Sequence, residues 1–179
     1  MKNSKNYRNI TKIFMKKSTP NSHKIKDAEY FEDAKGNKYY VDGKNVVLDY
    51  LESEKNVANW LKETFGGEIY MLPRVNIPEG IQTADYLFRG EKWDLKEING
   101  IGKNNFFHSV ENHNKQSNNF ILDVSKSQLN IIEIKQRISK LYSLPKLMWI
   151  EKIIVKKNDT LLLMVKKETT PPINGGTAS

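Results

Sequence analysis

Three polar residues set among apolar neighbours carry the chemistry this sequence offers. They are Asp85, Asp94 and Lys96, within TADYLFRGEKWDLKEI at Thr83–Ile98. The stretch predicts two alternating strands, Thr83–Phe88 and Lys92–Ile98, turning at Arg89-Gly90-Glu91. Side chains two apart on a strand share a face. Asp94 and Lys96 therefore point one way, and Trp93, Leu95 and Glu97 the other. On the first strand Asp85 shares its face with Thr83 and Leu87. Pairing across the turn would bring Asp85 and Asp94 together on one side of the sheet. Two neighbouring carboxylates repel unless a cation lies between them. An oxygen-preferring divalent ion such as Mg2+ suits that place. The same alternation is also that of a half-solvated antiparallel strand, with Asp94 and Lys96 a surface ion pair of little energetic consequence.

The rest of the chain bounds these readings. At 179 residues there is room for one domain and a tail. Cysteine is absent, which excludes disulfides and thiolate metal sites. No apolar run reaches membrane-spanning length, and no secretory core is visible. The net charge of +8 is uneven: Met1–Lys26 holds eight Lys or Arg and no acid, so 21 bases balance 21 acids beyond it. Residues 1–26 are expected to form a basic flexible arm or linker. Such an arm suits nucleic acid or anionic lipid, or simply joins this domain to another. Residues 27–168 are expected to form the domain, and 169–179 (TTPPINGGTAS) a disordered tail.

Elements follow from spacing. Glu29–Tyr50 predicts a β-hairpin or small meander turning at Lys35–Asn37 and Asp42-Gly43, with Tyr39, Tyr40 and Tyr50 at the core edge. Ser53–Phe65 predicts a helix, capped by Ser53 and ended by Gly66-Gly67, with Val57, Trp60, Leu61 and Phe65 inward. Glu68–Leu72 is a short strand stopped by Pro73. Asn99–Gly102 is a turn lacking the Lys-Ser/Thr of a phosphate-binding loop. Asn104–Gln116 predicts a helix, Phe120–Val124 a buried strand and Ser127–Tyr142 an amphipathic helix. Trp149–Lys156 and Thr160–Lys166 predict a closing hairpin. The sum is an α/β fold with a mixed sheet.

The element order αβββαβ, with Ala84-Asp85 on the second strand and Asp94-Leu95-Lys96 on the third, resembles the PD-(D/E)xK nuclease superfamily. Ala84 stands where the motif name has Pro. A closer resemblance covers Ile25–Lys167 through GGEIYMLPRVNIPEGIQTADYLFRGEKWDLKEI and KQSNNFILDVS. These runs are similar to the C-terminal toxin domains of contact-dependent growth inhibition (CdiA) proteins and related phage and mobile-element proteins. The resemblance implies a single-domain nuclease toxin, acting on tRNA in the bacterial cytosol. It also implies a cognate immunity protein, a monomer, and a basic arm joining a larger delivery protein. Asp85 and Asp94 would hold Mg2+ or Mn2+, with Glu54 and the Leu95 carbonyl (Glu63 fits less well). Lys96 would position or deprotonate the attacking water and offset charge on the phosphorane. Gln116 would orient substrate or water. Lys92, Lys103 and Lys115 would contact phosphates, while Trp93 faces the core.

Two other readings stay open. His108 and His113, five apart on the expected helix, share no face well and read first as surface residues. With a lysine they could also run metal-independent cleavage through the 2′-hydroxyl, as in barnase, EndoU, colicin or RelE folds. His23 lies in the arm. Alternatively, the chain is a non-enzymatic nucleic-acid-binding phage or mobile-element module.

Overall fold

The computed structural model describes residues 6–22, 24–114 and 116–168. His23, Lys115 and the expected tail at 169–179 lie outside them. In chain order the strands and helices are β1 (Tyr7–Asn9), α1 (Thr11–Met15), β2 (Ile25–Asp27), β3 (Tyr30–Glu32), β4 (Lys38–Tyr40) and β5 (Val46–Val47). Then come α2 (Glu52–Phe65), β6 (Ile69–Met71), β7 (Arg74–Val75), β8 (Tyr86–Phe88), β9 (Glu91–Glu97) and α3 (Asn105–Val110). The chain closes with β10 (Asn119–Asp123), α4 (Ile131–Ser143), β11 (Lys152–Lys157) and β12 (Thr160–Lys167).

Eight strands form one mixed sheet in the order β1-β12-β11-β10-β9-β8-β6-β2. β9, β10 and β11 run parallel, and β6, β8 and β9 are antiparallel. From Glu52 the expected order appears as α2, β6, β8, β9, α3, β10. The two-residue β7 intervenes and pairs with β5 outside the main sheet. Alternation sorts the side chains into two layers. Trp93, Ile121, Ile154 and Met164 face α2, while Phe120, Leu122, Ile153 and Val155 face α3 and α4. Among the described residues, no helix is long and apolar enough to cross a membrane.

Several expectations are corrected. The segment at residues 6–22 is not a free arm. β1 pairs with β12, burying Tyr7 and Ile10, and so covers a sheet edge that would otherwise expose unpaired backbone groups. Phe14 on α1 packs against Phe65 and Phe88, with the Arg89 guanidinium 4.0 Å from its ring centre. Gly66 shows how close this segment lies: at φ +64°, a Cβ there would sit 1.9 Å from the Thr19 carbonyl oxygen. The central hairpin turns on two residues, Arg89 and Gly90, both at positive φ. Arg89 is held there by hydrogen bonds to the Phe14 and Lys17 carbonyls and Ser18 Oγ.

α2 begins at Glu52 rather than after a Ser53 cap. Leu51 takes the cap position, and its N–H donates to Glu54 Oε2 at 2.8 Å. An acid three residues into a helix can thus replace a polar cap. α3 ends at Val110, six residues short of Gln116, and turns carry the chain onward. α4 begins at Ile131 because Asn130 accepts from the N–H groups of Ile132 and Glu133.

Candidate active site

The site forms where β8 and β9 part. Their ladder ends at the pair Tyr86–Trp93. One step further, Asp85 stands opposite Asp94. The Leu95 N–H donates to Asp85 Oδ2 at 2.6 Å, and the Asp85 N–H still reaches the Trp93 carbonyl at 3.1 Å. A carboxylate therefore replaces a backbone acceptor at the mouth of the sheet. On the other side β9 pairs with β10, with Asp94 in register with Phe120 and Lys96 with Leu122. Asp94 and Lys96 thus project on the face that carries α3 and α4, and Trp93 is fully buried on the other, as alternation predicted.

Asp94 is 2% exposed. Lys96 Nζ lies 2.7 Å from its Oδ2, close enough for an ion pair but not aligned as a hydrogen bond, so this buried oxygen lacks a hydrogen-bond partner. Burial first, and then the charge of Asp94, push Asp85 up to about 7. Burial also raises Asp94, while Lys96 acts against that rise.

The turns after α3 bring two further groups. Gln116 Oε1 is 3.4 Å from Lys96 Nζ. His113 Nδ1 is 3.3 Å from Lys96 Nζ and 2.5 Å from Gln116 Oε1, so one tautomer serves only one of the two. Burial, then Lys96, lower the affinity of His113 for a proton. His108 instead stays exposed and pairs with Glu111 at 2.7 Å. The early end of α3 separates the two histidines, which a continuous helix would have kept on one element.

Glu54 enters from the first turn of α2. Its Oε2 serves the Leu51 N–H, and its Oε1 accepts from Arg74 Nη2 at 2.7 Å. Tyr86 Oη donates to the Glu54 carbonyl at 2.8 Å. Burial raises the carboxyl of Glu54, and the Leu51 N–H and Arg74 oppose the rise. Together these groups line a cleft of about 370 Å3 that holds Glu54, Arg74, Asp85, Asp94, Lys96 and Gln116. All five residues expected to act in catalysis therefore share one cleft. Arg74 joins them, and it did not stand out in the sequence because it sits in a proline-rich loop; His113, a sequence candidate only for metal-independent cleavage, contacts Lys96 and Gln116.

A divalent cation can be tested against these donors. The adjoining Asp85 and Asp94 carboxylates, with Lys96 2.7 Å from Asp94 Oδ2, suit an ion that takes one or two protein carboxylates and completes its shell with water and phosphate. Glu54 does not complete a trio, because both its oxygens are engaged. Among the described residues, no group of three His, Asp or Glu converges as metal donors. The remaining expected contacts disperse. Lys92 Nζ donates to the Glu32 carbonyl and lies 4.6 Å from the Phe31 ring centre. Lys103 is exposed away from the cleft walls, and so is Glu63 near the end of α2. Lys115 lies outside the described residues.

Residues 82–161 match the family described as "Contact-dependent growth inhibition CdiA C-terminal domain". Over that segment the chain is similar to CdiA C-terminal toxin domains. The matched segment covers somewhat under half of the chain. It contains Asp85, Asp94, Lys96, His113 and Gln116, and leaves Glu54 and Arg74 outside. Among solved structures, a "CdiA-CT/CdiI toxin and immunity complex from Burkholderia pseudomallei" is similar at a TM-score of 0.49 and 19% identity. It covers 71% of this chain and 98% of that one, a likeness too distant to assign fold or function. No curated protein matches the chain.

Proposed function

We propose that this CdiA C-terminal toxin-like domain is a metal-dependent endonuclease that hydrolyses phosphodiester bonds in RNA, tRNA foremost. The observation that carries the reading is the paired carboxylates of Asp85 and Asp94 beside Lys96, in an open cleft at the point where β8 and β9 part. The order α2, β6, β8, β9, α3, β10 around that pair is what a PD-(D/E)xK nuclease would have.

Asp85 and Asp94 would hold one Mg2+ or Mn2+. When bound, such an ion polarises the scissile phosphate and lowers the pKa of a coordinated water. The protein's groups do the rest. The Lys96 ammonium faces the cleft and offsets negative charge growing on the phosphorane oxygens. Gln116 and His113, within hydrogen-bonding range of Lys96, hold the attacking water and the lysine in register. Arg74, fixed by Glu54, has further N–H groups for a phosphate oxygen. Water adds to phosphorus, the P–O bond opposite it breaks, and the leaving oxygen takes up a proton.

A second reading draws on a specific observation. Burial and then Lys96 lower the proton affinity of His113, and both oxygens of Glu54 are engaged. A metal-independent ribonuclease would use His113 to remove the 2′-hydroxyl proton and Lys96 to steady the phosphate. Cleavage of total tRNA by wild type, Asp94→Ala and His113→Ala, each with Mg2+ and with EDTA, separates the two. The metal reading expects activity to vanish in EDTA and in Asp94→Ala, with His113→Ala reduced about tenfold. Cleavage that persists in EDTA and is lost in His113→Ala overturns it. If tRNA stays intact under every condition, the tRNase proposal fails and DNA becomes the substrate to try. We further propose that the domain acts in the target-cell cytosol and that a cognate immunity protein binds it to block the cleft.

A further inference from the structure

Beside the cleft lies a second cavity of about 280 Å3, and Gln116 belongs to the walls of both. This is slightly below the range of pockets that take drug-sized ligands, and suits a fragment such as one planar base. Asn119, the first residue of β10, lines it. Asn119 is 6% exposed, its Nδ2 donates to the Lys92 carbonyl at 3.0 Å, and its Oδ1 is buried without a partner. Because Phe120 pairs in register with Asp94, Asn119 lies one position from the reacting pair.

The charge of this cavity decides what it can take. Glu91 and Glu151 both line it. Among the described residues, the cations nearest them are already engaged. Lys92 bonds to the Glu32 carbonyl beside the Phe31 ring, and Lys152 pairs with Glu91. The Glu151 carboxylate takes no hydrogen bond from the described residues. Its backbone is fixed, with the N–H donating to Asn118 and the carbonyl accepting from Lys167 N–H and Tyr142 Oη. With Glu91 paired, Glu151 is the carboxylate left without a hydrogen bond from the described residues, and it disfavours phosphate and favours a neutral group rich in N–H donors. Unpaired bases, read on their Watson–Crick edges, are such groups.

We propose that this cavity is a base-recognition subsite that takes one unpaired base next to the scissile phosphate, with guanine preferred. Guanine presents N1–H and the exocyclic amine side by side, and Glu151 accepts both. The amides of Asn118 and Asn119 lie beside it. The subsite rests on the nuclease reading for its neighbouring phosphate, so its test is a binding measurement that needs no cleavage.

The probes are fluorescein-labelled 2′-O-methyl uridine hexamers with one central guanine or one central adenine. Binding is read by anisotropy in EDTA for wild type and Glu151→Gln. Glu151 is exposed, and glutamine preserves its shape and the fixed backbone. The guanine hexamer should bind wild type about tenfold tighter than the adenine hexamer, as expected for one bidentate base contact. Glu151→Gln should erase that difference. Equal binding of the two hexamers by wild type overturns the subsite, as does a guanine preference that survives in Glu151→Gln. The nuclease reading is judged separately by tRNA cleavage in Mg2+, so each can fail without the other.

Discussion

A carboxylate buried against another carboxylate resists ionisation, and Asp85 beside Asp94 is such a group. The sign of its effect on stability follows. Unfolded, Asp85 loses its proton near pH 4; folded, it keeps it to about 7. Its contribution is therefore complete below about pH 4 and lost as pH rises from about 4 to 7. In EDTA, thermal unfolding of wild type should show this fall, and Asp85→Asn should lack it. At pH 8 Asp85→Asn should be the more stable by roughly 2 kcal/mol, although inactive. Equal pH profiles for the two proteins would refute the paired burial. Arg74 gives a second prediction at this scale. It is partly exposed and its pair is solvent-screened, so Arg74→Ala should cost only about 1 kcal/mol of stability. Its loss of kcat should be larger, about tenfold or more, if the guanidinium meets phosphate. Parallel urea unfolding and cleavage assays would reveal whether the two effects separate.

At the scale of elements, α2 places Glu54, and Glu54 in turn caps α2. Glu54→Gln keeps an acceptor for the Leu51 N–H, whereas Glu54→Ala removes it. Alanine should therefore cost about 1–2 kcal/mol, and glutamine much less. Should Glu54 also bind the ion, glutamine would abolish cleavage with stability nearly unchanged; the engaged oxygens lead us to expect retained activity instead. The N-terminal segment is the other element with a measurable role. Phe14→Ala removes a ring packed on Phe65, Phe88 and Arg89, and should cost about 2–3 kcal/mol in denaturant unfolding. A free linker would show no change.

Across the whole molecule, the +8 charge comes from residues 1–26, while the remainder is balanced. Since β1, α1 and β2 join the described part of this basic segment to the sheet, its cations from Arg8 to Lys26 are carried on the folded body rather than on a detached arm. Ion binding is also a property of the whole fold, because the site exists only when β8, β9 and the loop after α3 are assembled. Mn2+ at a hundredfold excess over its Kd should raise Tm by about 5–10 °C at pH 8. At pH 5 a proton on Asp85 competes, and the shift should shrink toward zero. A pH-independent shift, or none at pH 8, would count against the carboxylate pair as the ion's seat.

The alternation of Thr83–Ile98 determined that Asp94 and Lys96 share a face and Trp93 the other, because strand geometry is local and has period two. It also placed Asp85 across a hairpin, and helical spacing marked the buried face of α2. These are short-range consequences of residue type, and the structure keeps them. The sequence misplaced element ends and what depends on distant partners. The start of α2 hangs on Glu54 reaching back to Leu51, and the end of α3 on where the chain must turn to bring His113 and Gln116 to Lys96. Arg74 reached the site only because β7 leaves the main sheet to pair with β5. The N-terminal segment read as a linker because its charge dominates its composition. Tyr7, Ile10 and Phe14 are too few to form a pattern in one dimension, and they bury only when β12, Phe65 and Phe88 are already in place. The neighbourhood of two carboxylates was legible; its depth, which sets their affinity for protons and metal, was decided by the sheet and helices packed around them.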